Sequence, residues 1–295
     1  MLKAQTQPDI AIAKKSSRFR LGRFFVLLAS LTLIFLYLLL APAISSEFYN
    51  ANLLFIPVKY DKFNKWWHDR EAQEVFFTNK KGNRLQGIYL PSEKNDRVVL
   101  MHHGQYGNTA FHLTNHKFLL QPQDGLFIYD YAGFGKSEGS PTIEGMADDA
   151  RAAYDCLVTK LKIDPKTIVH YGVSLGTGPA TLIASEKPCG GLILFSPYTS
   201  LKEASRSVHP FLNIYPDFLL TSYDFDTVAN VKRLKAPLFI VHGVEDAAIP
   251  VRQADQIFKA AHEPKTFHRL EGQGHGLYLS DDLLTDLHRF VRNLR

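Results

Sequence analysis

Cysteine is scarce, with only Cys156 and Cys189 in 295 residues. Two thiols without metal-ligand spacing exclude a disulfide scaffold and give no metal signature, so both read as packed side chains. A charge excess on the folded part is also missing. The net charge of +5 comes from a short tail, where Lys3, Lys14, Lys15, Arg18, Arg20 and Arg23 face one acid, Asp9. Of 34 basic and 29 acidic residues, 28 of each sign remain beyond that tail. A nucleic-acid-binding domain needs its basic patch on the folded body, so nucleic acid is excluded as a partner. No Asn-x-Ser/Thr acceptor occurs, which fits a bacterial envelope better than a glycosylating lumen. Repeats and low-complexity tracts are absent. With 45% hydrophobic and 21% charged residues, the composition excludes disorder as the main state.

A long hydrophobic run is present. Residues 24–44, FFVLLASLTLIFLYLLLAPAI, hold 21 positions without a charge. At ~1.5 Å per residue a helix of that length reaches ~31 Å, the thickness of a bilayer's hydrocarbon core. Ala41-Pro42-Ala43 would suit a signal peptidase and leave a chain starting at Ile44. The apolar core is longer than the ~7–15 residues of a signal sequence, however, so a retained single-pass anchor is expected. The basic tail, 1–23, then stays cytoplasmic, and everything beyond residue 44 lies outside the cytoplasm, facing the periplasm if the cell is bacterial. A connector at 45–73, carrying Trp66 and Trp67, leads to a working domain at 74–295.

In that domain, short apolar runs alternate with helical patterns. Segments 74–78 and 84–90 flank an Asn-Lys-Lys-Gly-Asn turn and read as a hairpin. Runs at 97–101, 125–130, 167–172, 191–196, 237–242 and 266–270 suit strands buried on both faces. Helical patterns fall at 112–120, 143–161, 175–186, 251–261 and 281–294. The alternation predicts an α/β fold with a mostly parallel sheet covered by helices on both sides. An aromatic insertion at 201–236 interrupts it and predicts a small cap over one end of the sheet.

Gly172-Val173-Ser174-Leu175-Gly176 fits G-x-S-x-G, after a predicted strand and before a predicted helix. That context sets a serine on a sharp turn, with helical N–H groups nearby to favour a developing oxyanion. A serine needs a base, and the base an orienting carboxylate, in the chain order Ser, acid, His. Asp246, in His242-Gly243-Val244-Glu245-Asp246, supplies the acid, with Glu245 the lesser candidate. His275, between two glycines, supplies the base. The glycine-rich turn His102-His103-Gly104-Gln105-Tyr106-Gly107-Asn108 suits a second oxyanion donor, which assigns the hole to the N–H groups of Gln105 and Leu175. His103 competes as a base, but it precedes the serine and shapes the hole, which favours a structural role.

Taken together, HHGQYGN, DYAGFGKSEGSPT, GVSLG, SPYTSL, HGVEDAAIP and GHG resemble the α/β-hydrolase superfamily, and within it the membrane-anchored Bem46-like or ABHD-type serine hydrolases. The resemblance runs from about residue 97 to the C-terminus. It implies the triad Ser174, Asp246 and His275, a backbone oxyanion hole including Gln105 and Leu175, a short cap and an N-terminal anchor. Val173 stands where close members often carry a polar residue, so their substrates do not carry over. The expected activity is hydrolysis of an ester or thioester through an acyl-enzyme, without metal or organic cofactor. The expected substrate is a small or lipid-derived acyl compound, with Phe211, Leu212, Ile214, Tyr215, Phe218, Leu219, Leu220, Tyr223 and Phe225 either lining an acyl pocket or sealing the cap. An amidase or peptidase would use the same machinery. A tethered binding protein without turnover is the reading outside catalysis.

Overall fold

The structure, a computed structural model, describes residues 9–59, 72–92, 97–116, 124–221 and 223–294. Trp66, Trp67 and the end of the helix expected at 112–120 lie outside these residues. One eight-stranded sheet dominates: β1 (Gln73–Thr78), β2 (Arg84–Leu90), β3 (Val98–His102), β4 (Gly125–Tyr129), β5 (Ile168–Val173), β6 (Gly191–Phe195), β7 (Leu238–Gly243) and β8 (Lys265–Leu270). Their order is β8-β7-β6-β5-β3-β4-β2-β1. The β1–β2 hairpin and the β2–β4 contact are antiparallel, and the remaining pairs are parallel. Every residue of β3, β4, β6 and β7 is buried, as their unbroken apolar character requires of strands covered on both faces.

The described helices are α1 (Asp9–Leu39), α2 (Ser46–Tyr49), α3 (Thr109–His116), α4 (Ile143–Asp155), α5 (Thr177–Glu186), α6 (Leu201–Val208), α7 (Thr227–Val231), α8 (Arg252–Ala260) and α9 (Asp281–Asn293). α4 and α9 show why the alternation reads so clearly. Thr142 and Ser280 cap their N-termini by accepting from Gly145 N–H and Leu283 N–H, and each helix buries one stripe. Leu283, Leu287 and Val291 of α9 join α3 on one face of the sheet, whereas Met146, Ala150 and Ala153 of α4 pack on the other.

Of the expected basic tail, 1–23, the residues from Asp9 on are described, and Lys14, Lys15, Arg18, Arg20 and Arg23 lie in α1, in one helix with the apolar run. Its apolar part, Gly22–Leu39, has a mean hydropathy of 2.1 and no buried share, and it is long enough to cross a bilayer. The helix ends at Leu39 and not at residue 44, because Pro42 cannot continue it; Ser45 Oγ donates to the Leu39 carbonyl at 2.5 Å. Of the expected connector, 45–73, the described segment up to residue 59 packs on the hydrolase body. Ile56–Pro57 forms a parallel pair with Tyr106–Gly107, and Phe55 is buried edge-on to Phe134.

The insertion does form a cap, from α6, two 3-10 turns (Pro210–Ile214 and Asp217–Leu219) and α7. Its apolar side packs on the exit of α1. Leu212, Tyr215, Leu219 and Leu220 cluster with Ala41, flanked by Tyr37 and Tyr49.

Candidate active site

Ser174 follows β5 directly and sits at φ +51°, a left-handed conformation that costs a side-chain-bearing residue energy and is found where a functional atom must be presented. Its glycine neighbours make the turn possible. A Cβ on Gly176 would lie 2.0 Å from the His102 carbonyl oxygen, and one on Gly172 would lie 2.7 Å from Thr177 Cα. Only glycine lets α5 press this closely against β3 and β5.

The structure brings the three predicted side chains together. Ser174 Oγ is 2.9 Å from His275 Nε2, and His275 Nδ1 is 2.8 Å from Asp246 Oδ2. The imidazole that fits has Nδ1–H donating to the carboxylate and Nε2 accepting from the hydroxyl. The two loops that carry acid and base are tied by backbone bonds, Val244 N–H to Leu270 O at 3.0 Å and Glu245 N–H to Gln273 O at 2.9 Å. Gly243 allows the approach, since a Cβ there would lie 2.3 Å from the Gly274 oxygen.

Asp246 is the buried carboxylate and Glu245 is exposed, so burial separates the two neighbouring acids. Burial by itself would raise the Asp246 pKa. The bonds from His242, His275 and the Ile249 N–H outweigh burial and hold it below the usual carboxylate range. The acid thus stays ionised and orients the imidazole. His242 is a contributor that sequence reading passed over. Its Nε2 lies 3.3 Å from Asp246 Oδ2 and 2.7 Å from the Ile249 carbonyl. Only its place at the end of β7, four residues before the acid, signals it.

The loop after β3 runs beside the serine: a Cβ on Gly104 would lie 3.8 Å from Ser174 Cβ. Leu175 occupies the first turn after the serine, where N–H groups have no acceptor within the helix. Gln105 follows Gly104, and its carbonyl accepts from Ile56 N–H at 2.8 Å. Val58 N–H donates to Gly107 O at 3.1 Å. Residues 56–58 therefore brace the loop that carries one candidate oxyanion donor, a role no residue pattern announced.

His103 does not reach Ser174's hydroxyl as a partner. Its Nδ1 bonds the Gly104 carbonyl at 2.8 Å, its ring lies against Tyr131 and His112, and burial with His112 nearby lowers its pKa well below the ordinary value. His102 is equally buried, 2.8 Å from Tyr129 Oη and 3.0 Å from His170 Nδ1. Asp130, whose pKa burial raises to about 7 against hydrogen bonds from Thr109, accepts from the Thr109 N–H and hydroxyl at the start of α3 and lies 4.0 Å from His103 Nε2.

The insertion's apolar residues divide three ways. Leu212, Tyr215, Leu219 and Leu220 pack beside α1, Phe225 is buried in the core with Tyr198, and Phe211, Ile214 and Phe218 are exposed. A cavity of about 270 Å³ lies between the cap and the chain leaving α1, lined by Pro42, Leu54, Ile143, Leu201, Leu212 and Tyr223 among others. Neither Ser174 nor His275 lines it.

Residues 93–225 match the family model described as "Serine aminopeptidase, S33" (Hydrolase_4). The chain is 31% identical over 206 residues to protein Rv2307c of Mycobacterium tuberculosis, covering 69% of this chain and 72% of that protein. It is 29% identical over 232 residues to human alpha/beta hydrolase domain-containing protein 17B, covering 76% of each. The chain belongs to the α/β-hydrolase superfamily. An esterase of Pyrococcus furiosus, Pf2001, shares its fold at a TM-score of 0.69 and 17% identity, over 82% of this chain and 98% of that one. In this α/β-hydrolase the sheet order and the elbow after β5 accordingly follow the superfamily pattern.

Proposed function

We propose that this hydrolase is a membrane-anchored serine esterase or thioesterase acting through Ser174, His275 and Asp246. The observation that carries the reading is the continuous relay from Ser174 Oγ to His275 to Asp246 at 2.9 and 2.8 Å. Ser174 Oγ attacks the carbonyl carbon as its proton passes to His275 Nε2. The resulting oxyanion is held by the N–H groups of Leu175 and Gln105. Collapse breaks the bond to the leaving oxygen or sulfur, which takes the proton from His275. Water, deprotonated by the same imidazole, then releases the acid and restores Ser174. Asp246 remains ionised and stabilises the imidazolium throughout.

An apolar acyl group is the substrate side of the proposal. A domain tethered by α1 meets lipid-derived esters at high local concentration, and the esterase among its fold neighbours supports ester chemistry. The peptidase reading is favoured by the description of the matching family model. A p-nitrophenyl ester series and an aminoacyl-anilide series on the purified protein separate the two. Each buried CH₂ is worth ~0.8 kcal/mol, so kcat/KM is expected to rise about fourfold per carbon to a peak between about four and twelve carbons. Steady decline from acetate would refute the apolar site, and faster anilide than ester cleavage would favour the peptidase. Ser174→Ala is expected to lower kcat at least ~10⁴-fold; a variant that keeps its activity would place the nucleophile elsewhere, and an unchanged protein without turnover on either series would leave the binding-protein reading.

A further inference from the structure

The cap carries large apolar side chains that the protein itself leaves uncovered. Phe218 is 76% exposed, Ile214 62%, Phe211 50% and Val208 45%. They belong to the end of α6 and the two 3-10 turns, within a span of about ten residues. A cluster of this kind on a soluble surface marks a place of contact. Its position decides the contact. Tyr37, two residues before the end of α1, donates from its hydroxyl to the Ile214 carbonyl at 2.9 Å, and its ring stacks on Tyr215 at 4.9 Å. Ala43 N–H donates to the Leu219 carbonyl at 2.9 Å. Leu212, Tyr215, Leu219 and Leu220 close the joint. The cap is thus fastened by its buried residues to the last turn of the apolar helix, with its exposed residues on the same short turns.

The rise of ~1.5 Å per residue puts Tyr37 only ~3 Å below the helix end. If α1 spans a bilayer, Tyr37 is at the membrane interface, where tyrosine is favoured. The turns it holds are then at the same depth. An apolar face at that level sinks ~5–10 Å into the boundary between headgroups and acyl chains. The charges nearby do not oppose this. Arg206 bonds Asp217 at 2.6 Å and also reaches the Tyr215 carbonyl, so the charge on the second turn is paired.

We propose that the cap face formed by Val208, Phe211, Ile214 and Phe218 is a second membrane contact, inserted in the outer part of the leaflet that α1 leaves. It rests on the reading of α1 as a retained anchor. Two points of attachment would fix the hydrolase body against the bilayer, where one helix alone would leave it free to swing.

The test uses the full chain in phosphatidylcholine vesicles, with Trp66 and Trp67 replaced by Phe and one tryptophan introduced. Phe218→Trp reports the cap. Lys166→Trp, exposed just before β5 and so at the opposite end of the sheet from Ser174, is the reference. Lipids brominated near the top of the acyl chain are expected to quench Phe218→Trp, with a blue-shifted emission, and to leave Lys166→Trp unchanged. Resistance to carbonate extraction tests the anchor separately. An extraction-resistant protein with Phe218→Trp unquenched overturns the cap contact and leaves the anchor standing. An extractable protein overturns both. A disulfide between two copies of Phe218→Cys, without quenching of Phe218→Trp, would assign the face to self-association and equally overturn the membrane contact.

Discussion

At the scale of single residues, the buried imidazoles make a prediction opposite in sign to that of the buried acids. His102 and His103 are held well below their ordinary pKa by burial, and burial pushes His112 to about 4 and His170 to about 3. Their folded values are depressed, so the unfolded chain binds the extra protons as pH falls below about 6.5, and stability is lost on acidification. Asp130 and Asp149 are raised by burial, to about 7 and about 6. Their contribution is present at low pH and lost as pH rises through those values, which offsets the histidines in part. His116, lowered to about 3 by burial with His112 nearby, adds to these histidines, so between about pH 6 and 4 the histidines outnumber the two acids and stability falls with acidity. Melting temperatures measured across that range should therefore fall steeply with acidity; a flat profile would mean that these rings are solvated. The same burial distinguishes His103 from His275. His275→Ala should lose activity and keep its melting temperature. His103→Ala should lose melting temperature and still be labelled at Ser174.

At the scale of elements, the sequence was most readable where burial imposed a pattern. Strands β1 to β8 lie within a residue or two of the runs read for them, and β3, β4, β6 and β7 read as continuous apolar runs because both of their faces are covered. Ser174, Asp246 and His275 were legible because each lies in the segment that follows a strand, with a glycine within three residues. The segment 46–59 was not. A two-residue strand such as Ile56–Pro57 has no period to detect, and its partner at Tyr106–Gly107 is a loop by every local sign. The brace it supplies has a testable consequence. Ile56→Pro removes the N–H that bonds Gln105, and Phe55, at φ −123° and ψ 129°, already has the conformation a following proline requires. The expected result is a lower kcat, by up to the ~10²–10³-fold that one oxyanion donor is worth, with KM little changed. Ile56→Ala, which keeps the N–H, should restore the rate. Equal rates in both variants would show that the brace has no part in catalysis.

At the scale of the whole molecule, α1 and the hydrolase body are less separable than composition suggests. The insertion's aromatic content pointed to a pocket, but which face it meets depends on where α1 ends, and that is set by one proline. The basic excess before residue 24 predicts a cytoplasmic N-terminus. Alkaline phosphatase fused after Arg295 should be active in a bacterial host, and a cytoplasmic reporter at the same point inactive; the reverse would place the hydrolase body inside. The central claim, that Ser174 is the nucleophile of a working serine hydrolase, is tested most directly by fluorophosphonate labelling followed by peptide mass mapping. The account predicts one stoichiometric adduct on Ser174, absent from Ser174→Ala and strongly slowed in His275→Ala. An unlabelled wild-type protein, or an adduct on another residue that persists in Ser174→Ala, would contradict it.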